Sequence, residues 1–460
     1  MEEIFLSERI FTKDNQESFA TLSGDWNPLH VDEEIARRTL AGSTVIHGIH
    51  GVLWALNIGL KLNHIHNIIE SIQVKFHTSI KLHETVQCFF MEGDEKSNCK
   101  IIIRSSESLK TTIILSFSNS ISFIPIPEDK YIKSSPKMYD FKKISTEEHT
   151  QELKFNKTLY KTMFSCLENK FSDTQISLLL GISNIIGMQC PGYHSLFSSF
   201  NIFWSGSSDN SIKYQISDYN ERFSSIKIMI KSGEAKGQLH SFIRPSLVEQ
   251  KLTRNIKNNI PKKIFSKWKV LIIGGSRGLG EASVRVLTQG GAKSCITYYK
   301  GLRDAKKISK VTASEILYLD ILSDYKIKLD WQPTHLLYFA TPNIVSEDAS
   351  IDAERLSRLY KNYFIKGFKD IINKINYGQA LNVFYPSTIY IDNKNKKFES
   401  YAAVKKTGEE ICNSMNQSHS NLNILYPRLP RLKTDLTASL INSDSLVATS
   451  YLLNIYKKWK

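Results

Sequence analysis

A carboxylate and an imidazole stand five residues apart in Ser23-Gly24-Asp25-Trp26-Asn27-Pro28-Leu29-His30. On one regular helix the side chains of Asp25 and His30 would diverge by roughly 140°. Asn27 and Pro28 change that. Asparagine is a good N-cap and proline suits the first helical position, so a short helix is predicted to start there. Asp25 then lies in the loop before the helix and His30 in its first turn. Both can converge on one small molecule, such as a water, and move its protons.

A second set of reactive residues lies near the C-terminal end. Val270-Leu271-Ile272-Ile273 reads as a buried strand, Gly274-Gly275-Ser276-Arg277-Gly278-Leu279-Gly280 as a loop, and Glu281 to about Gln289 as a helix. Strand, glycine loop and helix form the context of a dinucleotide site, in which N–H groups at the helix start face a pyrophosphate. Tyr401-Ala402-Ala403-Val404-Lys405 places a phenol and an ammonium one turn apart on one helix face. A lysine cation beside a tyrosine lowers the phenol pKa, so the tyrosine can exchange a proton with a carbonyl oxygen as hydride moves. Upstream, LNVFYPST reads as a strand ending in two hydroxyls, Ser387 and Thr388.

The elements that must position these groups fall into three stretches. In residues 1–125, His47 to Leu60 is apolar on nearly all sides and reads as a buried helix. SIQVKFHTSI, TVQCFFMEG, CKIIIRSS and TTIILSFSNSISF then read as antiparallel strands. Residues 126–150 are rich in Pro and Lys and read as a connector. Residues 151–247 repeat the layout, with QISLLLGISNIIGM as the buried helix and HSLFSSFNIFW, SIKYQISDY, FSSIKIMIKS and KGQLHSFIRP as strands. This copy lacks an Asp-x-x-x-x-His octet, and its Cys190-Pro191-Gly192-Tyr193-His194 reads as a turn with a structural His194. Residues 248–267 read as a basic linker. From 268 to 460, strands alternate with helices, which implies a parallel α/β sheet.

The octet, followed by His47-Gly48, resembles the MaoC-like, (R)-specific enoyl-thioester hydratase family, whose pattern is SGDxNPxH and then HG at the start of the hotdog helix. The resemblance covers residues 1–125 and implies an α+β double hotdog for the N-terminal half, with a degenerate second copy at 151–247. It implies Asp25 and His30 as the catalytic dyad. Adding water to a 2-enoyl thioester needs one group to deprotonate the water and one to protonate the α-carbon. Asn27 can hold one of them by hydrogen bonding. The Gly48 N–H at a helix start can stabilise the enolate oxygen. Which of Asp25 and His30 moves which proton stays open.

The glycine loop, YxxxK pair and strand-end hydroxyls together resemble short-chain dehydrogenases/reductases over residues 268–460, here similar to 3-oxoacyl-carrier-protein reductases. This implies a Rossmann fold, a doubly wound parallel sheet. By the resemblance Tyr401, Lys405, Ser387 and Asn362 are catalytic, with Ser387 fixing the substrate oxygen and Asn362 completing a proton relay. Thr388 is the alternative hydroxyl. Gly274, Ser276, Arg277, Gly278, Leu279, Gly280, Ala340, Tyr401 and Lys405 line the cofactor, Asp320 contacts adenine, and Thr434 the nicotinamide. Lys300 and Arg277, with no acid after SCITYYKG, favour a 2′-phosphate, hence NADP over NAD. The family's NNAG is Tyr338-Phe339-Ala340-Thr341 here, and its proline-glycine is Pro427-Arg428.

Composition sets the outer bounds. The 460 residues allow several domains, and 41% hydrophobic with 23% charged residues suits a globular protein. No apolar run is long enough for a membrane span, and MEEIFLSERIFTKDNQ does not read as a signal peptide. Six cysteines form neither a CxxC pair nor a metal-ligand spacing, so no metal is expected and a reduced, cytoplasmic setting fits. The net charge of +15 is spread along the chain without a nucleic-acid motif. It suits an anionic partner, either coenzyme A or an acidic acyl carrier protein bearing the thioester.

The expected protein is a bifunctional acyl-thioester enzyme. It would reduce a 3-oxoacyl thioester with NADPH and interconvert the (R)-3-hydroxyacyl and 2-enoyl forms. A homodimer or higher homo-oligomer follows from both resemblances. Two rivals remain: one active site with the other half a scaffold, and a non-catalytic protein that docks acyl carriers.

Overall fold

Side chains alternate in and out along the N-terminal strands, as a sheet with one covered face requires. Ile212, Tyr214 and Ile216 are buried while Lys213, Gln215 and Ser217 face out, and Ile226, Ile228 and Ile230 repeat the pattern. The computed structural model describes residues 2–459 except 66, 94–97, 107, 119–125, 127, 142–145, 207–208, 345–352, 376–378, 394–395 and 441–443. Parts of the strand read at TTIILSFSNSISF and of the 126–150 connector therefore lie outside the described residues. The chain divides into two compact units that meet in sequence between Ser246 and Leu247.

The first unit holds strands β1 (Ile4–Ile10), β2 (Ile68–Phe76), β3 (Thr85–Glu92), β4 (Asn98–Arg104), β5 (Leu109–Ser118), β6 (His149–Glu152), β7 (Ser195–Trp204), β8 (Ser211–Asn220), β9 (Ser225–Ser232) and β10 (Ala235–Ile243). They form one antiparallel sheet in the order β1-β3-β4-β5-β2-β7-β10-β9-β8-β6. The order is the same read inward from either edge: first, third, fourth, fifth and second strand of each half. β2 and β7 join the halves, Ile72 opposite Ile202 and Val74 opposite Phe200. Each half carries a buried helix between its first two strands, Gly48–Lys61 in one and Asp173–Asn184 in the other. One apolar core holds both.

The sequence pattern missed β1, β6 and the helix Lys13–Ser23, which begins at a Thr12–Asn15 capping box. That helix ends at Gly24 with φ 68°, a left-handed cap suited to glycine. The 126–150 connector is more than a tether. The Tyr131 ring packs over Gly24, where a Cβ would lie 2.5 Å from it. Lys137 N–H donates to Met188 O, and its own carbonyl accepts from Tyr193 N–H.

The second unit is a parallel sheet of β11 (Lys269–Ile273), β12 (Lys293–Tyr298), β13 (Glu315–Tyr318), β14 (His335–Tyr338), β15 (Leu381–Phe384) and β17 (Leu422–Leu425), in the order β13-β12-β11-β14-β15-β17. Numbered by themselves these strands run 3-2-1-4-5-6, the order of a doubly wound Rossmann sheet. Both faces are covered: Val270 and Ile272 pack into one apolar cluster, Leu271 and Ile273 into the other. β16 (Ser387–Thr388) and β18 (Arg428–Leu429) pair beyond the strand ends. No described helix in either unit is long and apolar enough to cross a membrane.

Residues 248–267 are not a free linker. Ile260 and Phe265 are buried in the core of the second unit, and Phe265 N–H donates to Gly290 O. Phe265→Ala should therefore destabilise this unit by about 3–5 kcal/mol, as for buried aromatic truncations generally. Urea unfolding of the full chain checks this; an exposed linker would leave the transition unmoved.

Candidate active sites

Asp25 enters a buried loop immediately after the Gly24 cap, and the helix Pro28–Val31 starts where the sequence predicts. Asn27 caps it, its Oδ1 accepting from Leu29 N–H at 3.1 Å. Asp25 is 3% exposed. Its Oδ1 accepts from Asn27 N–H at 3.2 Å and its Oδ2 from the Ser183 hydroxyl at 2.9 Å. Burial raises its carboxyl pKa to about 7, although those two hydrogen bonds pull it back. No cation contributes to the balance.

His30 sits in the first turn, as expected, and its Nδ1 lies 2.9 Å from Val45 O. A carbonyl only accepts, so Nδ1 carries the proton and Nε2 keeps a lone pair. Burial lowers the His30 pKa to about 4, the Val45 bond opposing and the Arg244 charge reinforcing the shift. His47 stacks on it with ring centroids 3.9 Å apart. The His47 Nε2 lies 2.8 Å from Asp25 O and Nδ1 2.9 Å from Gln16 Oε1, which also accepts from His47 N–H. Burial and the neighbouring His30 lower the His47 pKa, and the bond to Asp25 O opposes them. Gly48 begins the next helix, so its N–H has no acceptor one turn back. A Cβ there would stand 2.7 Å from the Phe76 ring.

Asp25, His30 and His47 thus bring one ligand atom each within 4.8 Å of one another. A metal ion would need free lone pairs on all three. Both His47 nitrogens abut carbonyl oxygens, which leaves His47 no lone pair directed at the other two groups, so the cluster suits proton transfer instead.

Asn27 is fully buried and reaches across to the other half of the sheet. Its Nδ2 donates to Gly187 O at 2.9 Å and to Gly192 O at 3.0 Å, with Ser195 Oγ 3.4 Å away. Arg244 holds the same turn from behind through Ser195 O at 2.8 Å and Tyr193 O. Sequence reasoning missed Gln16, Ser183, Gly187, Ser195 and Arg244. None carries a motif, and each lies outside the octet. The available signal was the Cys190–His194 turn, whose sequence reads as structural.

In the second unit, the glycine loop is shaped for close approach. Gly274 has φ 78° and its N–H donates to Thr297 Oγ1 at 2.9 Å; a Cβ on Gly280 would stand 2.2 Å from Gly274 O. Gly278, φ 58°, begins the helix Gly278–Gln289, and a Cβ there would meet only Thr434, at 3.8 Å. That open cradle fits a pyrophosphate, with Thr434 across from it. Arg277 is the N-cap residue, and Ser276 is buried. The Leu279 side chain packs toward the apolar core rather than into the loop. Lys300 follows β12 beside the Tyr299 ring, Ala340 follows β14, and Asp320 follows β13 with its Oδ1 accepting from Leu322 N–H.

The residues expected to be catalytic in this unit are placed as follows. Tyr401, on the helix Glu399–Ser418, shares a hydrogen bond with Thr388. The Ser387 hydroxyl is turned to Glu409, which also pairs with Arg428. Arg428, after Pro427, thus gives Glu409 a cation, and the same carboxylate holds the Ser387 hydroxyl. Lys405 is 2% exposed, donates to Pro386 O at 2.7 Å and lies 4.0 Å from the Phe364 ring centroid. Burial lowers its pKa to about 7, and it does not lower that of Tyr401, which burial raises. Asn362 opens the π-helical turn Asn362–Gly367 with an exposed side chain.

The geometry of the first site has a counterpart among known families, the one described as MaoC like domain, which matches residues 4–111. Residues 4–111 are a MaoC-like domain. No curated protein matches the chain. Among solved structures it is similar to a putative short-chain oxidoreductase from Thermus thermophilus, with 14% identity over 42% of this chain and 96% of that one and a TM-score of 0.35. A short chain dehydrogenase from Salmonella enterica serovar Typhi shares 14% identity over 43% and 91%, TM-score 0.37. One from Shigella flexneri 2a, complexed with NADP, shares 14% over 43% and 92%, TM-score 0.39.

The MaoC-like domain keeps a buried carboxyl without a cation, and this has a measurable cost. The folded pKa of Asp25, about 7, exceeds the ordinary 3.8, so the penalty is absent below pH 4, grows as pH rises from about 4 to 7 and is constant above that. Asp25→Asn removes that penalty. Relative to the parent chain, the variant should gain about 2–4 kcal/mol between pH 4 and pH 8, read as a widening difference in denaturation midpoint; a pH-independent difference would refute this.

Proposed function

We propose that the chain is a bifunctional acyl-thioester enzyme, an (R)-specific 2-enoyl-thioester hydratase/dehydratase joined to an NADPH-dependent 3-oxoacyl-thioester reductase. The observation that carries the first activity is the convergence of Asp25, His30 and His47 at the start of the helix Gly48–Lys61 in the MaoC-like domain. The equal strand order of the two halves supports a double hotdog, the second copy without a dyad of its own.

At neutral pH His30 is unprotonated, and its Nε2 lone pair can take a proton from a water. Asp25, the more basic of the two, holds the proton the pair has to give and can deliver it to the α-carbon. The Gly48 N–H is the donor for the thioester oxygen as negative charge develops there. Phe76, Phe197 and Phe200 cluster beside Gly48, with ring centroids 5.2–6.2 Å apart, and provide an apolar wall for an acyl chain.

In the second unit, the N–H groups from Gly278 onward would hold the cofactor pyrophosphate and Arg277 and Lys300 a 2′-phosphate, hence NADP rather than NAD. When bound, the reduced cofactor supplies hydride. Tyr401 is the proton donor to the 3-oxo group, and Thr388 orients that phenol. The carrier of the thioester is anionic in either form, coenzyme A or an acyl carrier protein, which suits the net charge of +15. A homo-oligomer in the cytoplasm completes the reading. A second reading, in which only hydration turns over, is favoured by Lys405, which is held on Pro386 O instead of serving Tyr401.

Two assays on the full chain separate these. NADPH oxidation with an acetoacetyl thioester should fall at least about 10²-fold in Tyr401→Phe and in Thr388→Val, but stay within about threefold in Ser387→Ala. Absence of any NADPH oxidation in the parent selects the hydration-only reading. Hydration of a crotonyl thioester should vanish in Asp25→Asn and persist in Tyr401→Phe. Its rate should fall below pH about 4, as His30 protonates, and above about 7, as Asp25 ionises. A rate that climbs through pH 7 would reverse the two proton roles. No turnover in either assay, with retention on an acyl carrier protein, selects the docking protein.

A further inference from the structure

We propose that Ser183 is a positioning residue for Asp25, so that the hydration site is built jointly by both halves of the N-terminal sheet. The inference rests on the hydration reading for its functional meaning, and on the placement of Ser183 for everything else.

Ser183 lies inside the helix Asp173–Asn184 of the second half. A serine within a helix commonly returns its hydroxyl to the carbonyl four residues back. Ser23 and Ser283 do so, donating to Phe19 O and Leu279 O. Ser183 instead donates to Asp25 Oδ2 at 2.9 Å, and both side chains are buried. The residues that follow form a π-helical turn, Ile185–Gln189. Within it, a Cβ on Gly187 would stand 2.0 Å from Asp25 Oδ1. Only glycine leaves room for the carboxyl there.

The same short stretch grips the octet at three more points. Asn184 Nδ2 donates to Ser23 O at 3.3 Å, Trp26 N–H points at Met188 Sδ at 3.2 Å, and Gly187 O accepts from Asn27. The second half carries no carboxylate of its own at the matching place, yet its helix end is fitted to the carboxylate of the first. The Ser183 donor and the Asn27 N–H together fix the plane of the Asp25 carboxyl. Removing the hydroxyl leaves a desolvated Oδ2 free to rotate and less able to stay ionised. The titratable groups that face Asp25 are His30 and His47, with Arg244 acting on His30.

The test uses the full chain as parent, Ser183→Ala and Ser183→Thr. The titration midpoint of Asp25 is read from its carboxyl band by isotope-edited infrared difference, with Asp25→Asn identifying the band. Crotonyl-thioester hydration is measured in parallel. Ser183→Ala should raise the Asp25 midpoint by about half to one pH unit and lower kcat at least about tenfold with little change in KM. Ser183→Thr, which keeps the hydroxyl, should restore both. A midpoint unchanged in Ser183→Ala overturns the proposal whatever happens to turnover, as does a shift that Ser183→Thr fails to reverse. Failure of the parent chain to hydrate any enoyl thioester overturns the hydration reading instead, and the infrared midpoints still decide whether Ser183 holds Asp25.

Discussion

The N-terminal unit depends on one constraint: an acid is kept dry in a core that gives it no cation. Asp25 is surrounded by protein and held by one backbone N–H and one hydroxyl. Burial alone would push its proton affinity far up; the two donors bring it back to near neutrality. His30 is governed by the same dry environment in the opposite direction, since burial penalises its cation. One desolvated pocket therefore inverts the usual order of the two groups, leaving the carboxyl near 7 and the imidazole near 4.

That environment is built by both halves of the sheet. The octet loop is polar, and its buried amide and carboxyl need partners. The second half provides them: Gly187 O, Gly192 O and the Ser183 hydroxyl. Joining β2 to β7 closes the seam between the halves and fixes the distance over which Asn27 and Ser183 must reach. The helix end of the second half is occupied in supporting the octet of the first.

In the second unit one cation sets the partners around it. Arg428 pairs with Glu409 and Asp392. Glu409 in turn takes the Ser387 hydroxyl, and Thr388, one residue on and facing the other way along the strand pair, meets Tyr401. Lys405 fills an aromatic pocket beneath and ties down Pro386, which fixes the strand end that carries both hydroxyls.

Local chemistry made much of this legible in advance. Asn27 and Pro28 announce a helix start because one accepts N–H groups and the other lacks one, and the structure caps Pro28–Val31 in that way. The alternating strands, the buried helix from His47 and the strand–glycine-loop–helix at Val270–Gln289 follow from periodicity and from the φ values only glycine adopts freely. What the sequence did not disclose depends on residues remote along the chain. Ser183 lies 158 positions from Asp25, and nothing in its neighbours distinguishes it from any helical serine. Phe265 reads as linker because burial, unlike periodicity, cannot be read from a short irregular segment. Ser387 and Thr388 are equally placed before Tyr401 in the sequence; only the side chains on the facing helix and strand decide which hydroxyl turns toward it. The sequence by itself determined the local turns and most of the strand and helix types around the candidate groups. Tertiary structure alone decided their partners, and with them their proton affinities, because desolvation and hydrogen bonding are set by what comes to lie within a few ångströms in space.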